Sequence, residues 1–135
     1  MKIKIKVTRD ILVKSAHCLK DAGFNCPISL AVREIFPNAW VTPETILPNA
    51  SEELVKQARV SITSIDELYK GKTISLPLIA SKFIIKFDDS NPTERVLMEP
   101  ISFDIDVPNE VIEEIGISSV YKILSESKTL ELVNI

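Results

Sequence analysis

The sequence predicts an α+β fold: a single compact domain in which a small mixed or antiparallel sheet carries several short helices. Three observations lead there. Ile3, Ile5 and Val7 alternate with Lys2, Lys4 and Lys6. Ile101, Phe103, Ile105 and Val107 alternate in the same way with Ser102, Asp104 and Asp106. A period of two marks strands with one buried and one wet face. Elsewhere the apolar residues recur at helical steps, in stretches opened by a capping residue or a proline.

After the first strand, Thr8 is placed to cap a helix, and Asp10 stands in its first turn, where the helix dipole favours an anion. Ile11, Leu12, Ala16, Leu19 and Ala22 form its apolar stripe, which closes near Gly23. A second helix opens at Asn25-Cys26-Pro27. Proline fits a first helical turn because its missing donor costs nothing there, and Asn25 or Cys26 would cap. Ile28, Ala31, Val32 and Ile35 continue one face, Phe36-Pro37-Asn38 ends it, and Ala39 to Thr42 returns as a strand.

Residues 42–71 read as an elaboration of the domain, too short to bury a core of its own. Within it, Asn49 with Glu52 opens a short helix through Leu54 and Ala58. Val60 and Ile62 alternate like a strand, and Ser64 with Glu67 has capping-box spacing. Thr73 to Leu76 reads as a strand and Pro77 as a helix start. Ile79, Phe83 and Phe87 follow at four-residue steps, although the run Phe83-Ile84-Ile85 also suits a buried strand. Asp88 to Pro92 is a loop. Residues 109–135 form a C-terminal extension: a helix from Pro108-Asn109 through Ile115, another capped by Ser118, and a final edge strand over Thr129 to Val133.

Composition bounds the function. The 135 residues are 45% hydrophobic and 26% charged, as in ordinary globular domains. A net charge of −3 gives no electrostatic reason to approach nucleic acid, where lysine and arginine must neutralise phosphates. Two cysteines make no disulfide framework. The opening MKIKIKV lacks the apolar core of a signal peptide, and no stretch approaches the length of a membrane span. A cytoplasmic protein without nucleic-acid or membrane partners is expected, and the sequon at Asn49-Ala50-Ser51 carries no weight there.

Candidate chemistry is sparse. Cys26 at a helix N-terminus is where a dipole and free backbone donors would lower a thiol pKa, and His17 is the only histidine available as its base. Against that thiol enzyme stands a small buried cysteine packed under Pro27, the favoured reading. The same N-terminus, at Asn25 and Cys26, would attract a small anion through its backbone donors. His17, Cys18 and Cys26 fall short of the four ligands of a zinc site, and their spacing fits no zinc motif. Asp88, Asp89, Asp104 and Asp106 match no calcium loop, and Asp104 and Asp106 share a wet strand face. With three glycines there is no phosphate-cradling loop. Phe36, Trp40 and Tyr69 would make an aromatic surface, but Phe36 and Trp40 more simply close the core. No cofactor and no metal are expected.

Several short motifs carry a resemblance. Asn25-Cys26-Pro27-Ile28-Ser29-Leu30-Ala31-Val32 follows a strand and a Thr-started helix. Later come Leu76-Pro77, Phe87-Asp88 and Pro100-Ile101-Ser102-Phe103-Asp104-Ile105. In that order they resemble small uncharacterised phage and bacterial proteins with a Cys-Pro-Ile-Ala-Leu-Ala segment, a Leu-Pro helix start ending in Phe-Asp, and a Pro-Phe-Ser-Phe-Asp-Leu strand. The likeness covers about residues 1–107 and departs at Ser29, in the longer middle and after Pro108. It assigns no catalytic residue and implies a phage-type accessory protein. The expectation is therefore a non-enzymatic binder of a host protein or a small anionic ligand, counteracting host defence. The alternatives are the Cys26–His17 thiol enzyme and a virion component, and a self-associating chain is compatible with each.

Overall fold

The computed structural model describes residues 1–18, 26–115 and 130–132. Strand β1 (Lys2–Val7) lies at the centre of one antiparallel sheet, between β5 (Ile101–Asp106) and β6 (Leu130–Leu132). The period of two sets the register: Ile5 stands opposite Phe103 and Ile3 opposite Ile105 on the buried face. Lys4 opposite Asp104 and Lys2 opposite Asp106 put unlike charges across the other face, a favourable cross-strand pairing. The final strand therefore exists, with its described part on the far edge of β1.

A second antiparallel sheet joins β2 (Trp40–Val41), β3 (Thr45–Leu47) and β4 (Ile74–Ser75). Its hairpin is closed by Thr42, whose Oγ1 accepts from the backbone N–H of Thr45 at 2.9 Å and of Glu44 at 3.2 Å. With Pro43 at the bend, this is a hydroxyl-stabilised turn. The sequence reading marked the first and last of these strands and did not find β3.

The helices are α1 (Arg9–Ser15), α2 (Pro27–Arg33), α3 (Glu52–Ser61), α4 (Ile65–Leu68), α5 (Leu78–Asp88), α6 (Pro92–Leu97) and α7 (Asn109–Ile115). The domain is α+β, as expected. Its main core joins the inner faces of β1 and β5 to α1, α2 and α5 through Leu12, Ile28, Val32, Phe36 and Phe87. A smaller cluster of Leu47, Ala50, Val55 and Ile65 lies beneath α3 and α4.

Local sequence explains most element ends and corrects several expectations. Thr8 caps α1, accepting from Ile11 N–H at 3.3 Å, but the helix stops at Ser15 rather than Gly23. The expected positions Leu19 and Ala22 fall outside the described residues, as does the Ser118 helix. Ser51, not Asn49, caps α3, accepting from Leu54 N–H at 3.2 Å. That helix runs through Val60, and Ile62 is its left-handed cap at φ 60°. The expected Val60–Ile62 strand is thus replaced: their alternation is coincidental, since both point to solvent while Val55 turns inward. Ser64 occupies the N-cap of α4 without the side-chain bond a capping box requires.

The apolar run at Phe83 is helical. Ala80, Phe83 and Phe87 face the core, while Ile79 and Ile85 lie outside it, so Ala80 takes the place expected of Ile79. The expected loop from Asp88 to Pro92 shortens because Asp88 ends α5 and Pro92 begins α6. Asn91 and Glu94 form a reciprocal capping box, with both bonds at 2.9 Å. Replacing Asn91 by Ala is expected to cost about 1 kcal/mol, read as a lower urea midpoint with an unchanged m-value.

Candidate functional site

The two cysteines meet. Cys26 occupies the N-cap of α2, where Pro27 enforces helix entry, and its thiol makes no cap bond. Cys18 lies beyond the end of α1, its N–H bonded to Ser15 O at 2.9 Å. The two Sγ atoms are 3.1 Å apart, and both residues are half-buried and reduced.

A buried arginine holds this corner together. Arg95, on α6, is 7% exposed. Its Nε donates to Phe87 O at 2.8 Å, and its Nη1 donates to Ala16 O and Cys18 O, each at 2.9 Å. The guanidinium also sits 4.2 Å from the centre of the Phe87 ring, a cation–π contact. One side chain thereby satisfies the Ala16 and Cys18 carbonyls beyond the end of α1 and adds a second donor to Phe87 O near the end of α5, which also accepts from Ser90 N–H at 3.1 Å. The sequence reading did not single out Arg95, because nothing in Glu94-Arg95-Val96 distinguishes it from a surface arginine.

Beside the thiols lies a cavity of about 320 Å³. Its lining combines apolar Ile28, Trp40, Ile65 and Ile84 with polar Thr42 and Ser64 and acidic Asp66 and Asp88. Cys26 and the buried Ser29 lie at its α2 side. Ser29 is therefore a cavity position.

Electrostatics at Cys26 run against a reactive thiolate. Burial pushes its thiol pKa up. The hydrogen bond with Cys18, the charge of Cys18 and the charge of Asp88 push the same way, and Arg95 alone opposes them. The thiol is therefore protonated at neutral pH. The folded chain holds this proton more tightly than the unfolded chain, whose ordinary thiol value is 9.0. Its contribution to stability is complete below pH 9 and is lost as pH rises beyond it. Stability is expected to fall above pH 9 in urea titrations, and Cys26→Ser should flatten that fall. Tyr69, whose hydroxyl burial also raises, continues the decline from its own ordinary value of 10.0.

The remaining sequence candidates are scattered. His17 is exposed and is not among the residues lining the cavity. Asn25 lies outside the described residues. Asp89 caps the C-terminus of α5, and Asp104 and Asp106 lie on the outward face of β5. Among the described residues no group of three or more His, Cys, Asp or Glu side chains could hold a metal ion. None of their helices is long and apolar enough to cross a membrane. The aromatic trio is divided: Phe36 is buried in the main core, Trp40 lines the cavity, and the Tyr69 hydroxyl accepts from Asn49 N–H at 3.3 Å.

The fold and site together define a small α+β domain with a largely apolar cavity, lined also by Asp66 and Asp88, beside a thiol pair. No protein-family model matches the chain, and neither a curated protein nor a solved structure matches it.

Proposed function

We propose that this chain is a non-enzymatic binding protein, of the phage-accessory kind its motifs suggest, and that the cavity beside Cys26 is its ligand site. The observation supporting this most is the cavity itself. Its volume of about 320 Å³ falls at the lower end of small-molecule sites, and apolar walls with a few convergent polar groups are the usual makeup of such sites. The protonated Cys26 thiol and the outlying His17 favour binding over thiol catalysis.

The cavity also narrows the ligand. Asp66 and Asp88 repel a phosphate, and α2, at seven residues, is too short to supply a strong opposing dipole. The occupant favoured by this lining is a small molecule with an apolar body and a cationic or hydrogen-bond-donating group, rather than the small anion expected from the sequence.

Trp40 is the sole tryptophan and lines the cavity, so it reports occupancy directly. Small aromatic and aliphatic amines are expected to change its emission and raise the melting temperature. A ligand at 100 times its dissociation constant adds about 2.7 kcal/mol of stability. Asp88→Asn should weaken that response. If inorganic phosphate or cyclic nucleotides bind instead, the charge argument is wrong. If no small ligand changes either signal, the ligand-site reading fails and a host-protein surface takes its place.

A further inference from the structure

We propose that Cys18 and Cys26 are a redox-active dithiol that a low-molecular-weight disulfide, such as oxidised glutathione, converts reversibly into an intrachain disulfide. The inference does not rest on the ligand reading; the two share Cys26 and its neighbour Asp88.

The geometry carries it. Disulfide formation requires two side chains whose sulfurs meet without moving the backbone, and most cysteine pairs in a fold fail that requirement. Here the sulfurs are 3.1 Å apart, closer than two sulfurs in ordinary packing contact and about 1 Å beyond a covalent bond. Both residues are held at their backbones. Cys26 is fixed by entry into α2, where Leu30 N–H bonds its carbonyl at 3.0 Å. Cys18 is fixed through its carbonyl by Arg95 at 2.9 Å. Neither thiol is sealed inside the core, so a small oxidant has access.

The chemistry proceeds in two exchanges. The Cys18 thiolate attacks one sulfur of oxidised glutathione; the glutathione S–S bond breaks, and one glutathione thiolate leaves and takes up a proton. The Cys26 thiol then gives its proton to water, and its sulfur attacks the Cys18 sulfur. The mixed disulfide breaks and the second glutathione leaves as a thiolate, which is protonated in turn. The protein pair loses two electrons and two protons, and glutathione disulfide becomes two thiols. Cys18 is assigned the first attack because burial and the neighbouring Asp88 keep the proton on Cys26. Arg95 favours the thiolate that must form there in the second step. No metal or cofactor enters.

The test is equilibration of the whole, folded chain in glutathione buffers of increasing oxidised fraction, followed by acid quenching. Both thiols should disappear together, with a mass lower by two hydrogens. Peptide mapping without reductant should find Cys18 linked to Cys26, and dithiothreitol should restore both thiols. Cys26→Ser should retain glutathione on Cys18, whereas Cys18→Ser should remain unmodified. The proposal is overturned if the folded wild-type chain keeps both thiols reduced, accumulates mixed disulfides without closing the pair, or cross-links only between chains. Should either variant fail to fold, the wild-type linkage map decides alone.

Discussion

Replacing Arg95 by Ala should destabilise the domain by about 2–4 kcal/mol, through loss of charge-assisted hydrogen bonds and exposure of buried acceptors. The guanidinium is almost fully buried and donates to the carbonyls of Ala16, Cys18 and Phe87. Truncation leaves the Ala16 and Cys18 carbonyls facing a void, whereas Phe87 O keeps its bond from Ser90 N–H at 3.1 Å. Each buried acceptor left unsatisfied costs about 1–3 kcal/mol, partly recovered where water enters. Arg95→Lys should recover less than half, because an ammonium lacks the planar fork that reaches three acceptors at once. Urea denaturation measures both variants. A loss below about 1 kcal/mol for alanine would mean that the network contributes little to holding the ends of α1 and α5 together.

Truncating Phe87 to Ala is expected to cost about 3–5 kcal/mol, by loss of buried apolar contact and creation of a cavity. Its ring is 1% exposed, stacks on Phe83 at a centroid distance of 6.5 Å and underlies the Arg95 guanidinium. Phe87→Leu should cost much less, since most of the volume remains. The two sites share a contact, so their effects should not add: the double variant should lose less than the sum of the single losses, by roughly 0.5–2 kcal/mol. Strict additivity would remove the coupling between ring and cation. Phe87 also precedes Asp88 on α5, so a shifted helix end should appear as altered Trp40 emission from the adjoining cavity.

What was legible in the chain follows from how local each signal is. β1 and β5 were readable because six residues suffice to show a period of two, and a one-residue slip would bury their lysines or aspartates. The start of α2 was readable because Pro27 restricts its own backbone whatever lies elsewhere. β3 spans three residues, too few for alternation to emerge, and the hairpin that pairs it with β2 depends on a Thr42 turn with no glycine to announce it. Val60 and Ile62 misled for the converse reason: two apolar residues alternate by chance, while the Ser51 cap and the inward Val55 decide for a helix.

The site divides along the same line. An α+β domain, a cysteine at the mouth of α2 and the lack of a glycine-rich phosphate motif depend on residue type and near neighbours, and could be read from the chain. That Cys18 meets Cys26, that Asp88 rather than Asp89 lines the cavity, and that Arg95 is buried follow from long-range packing. The partners of Arg95 at Ala16 and Cys18 lie 79 and 77 positions away. No local pattern encodes such a bond, because a carbonyl becomes available only when its helix ends and becomes buried only when the rest of the chain packs over it.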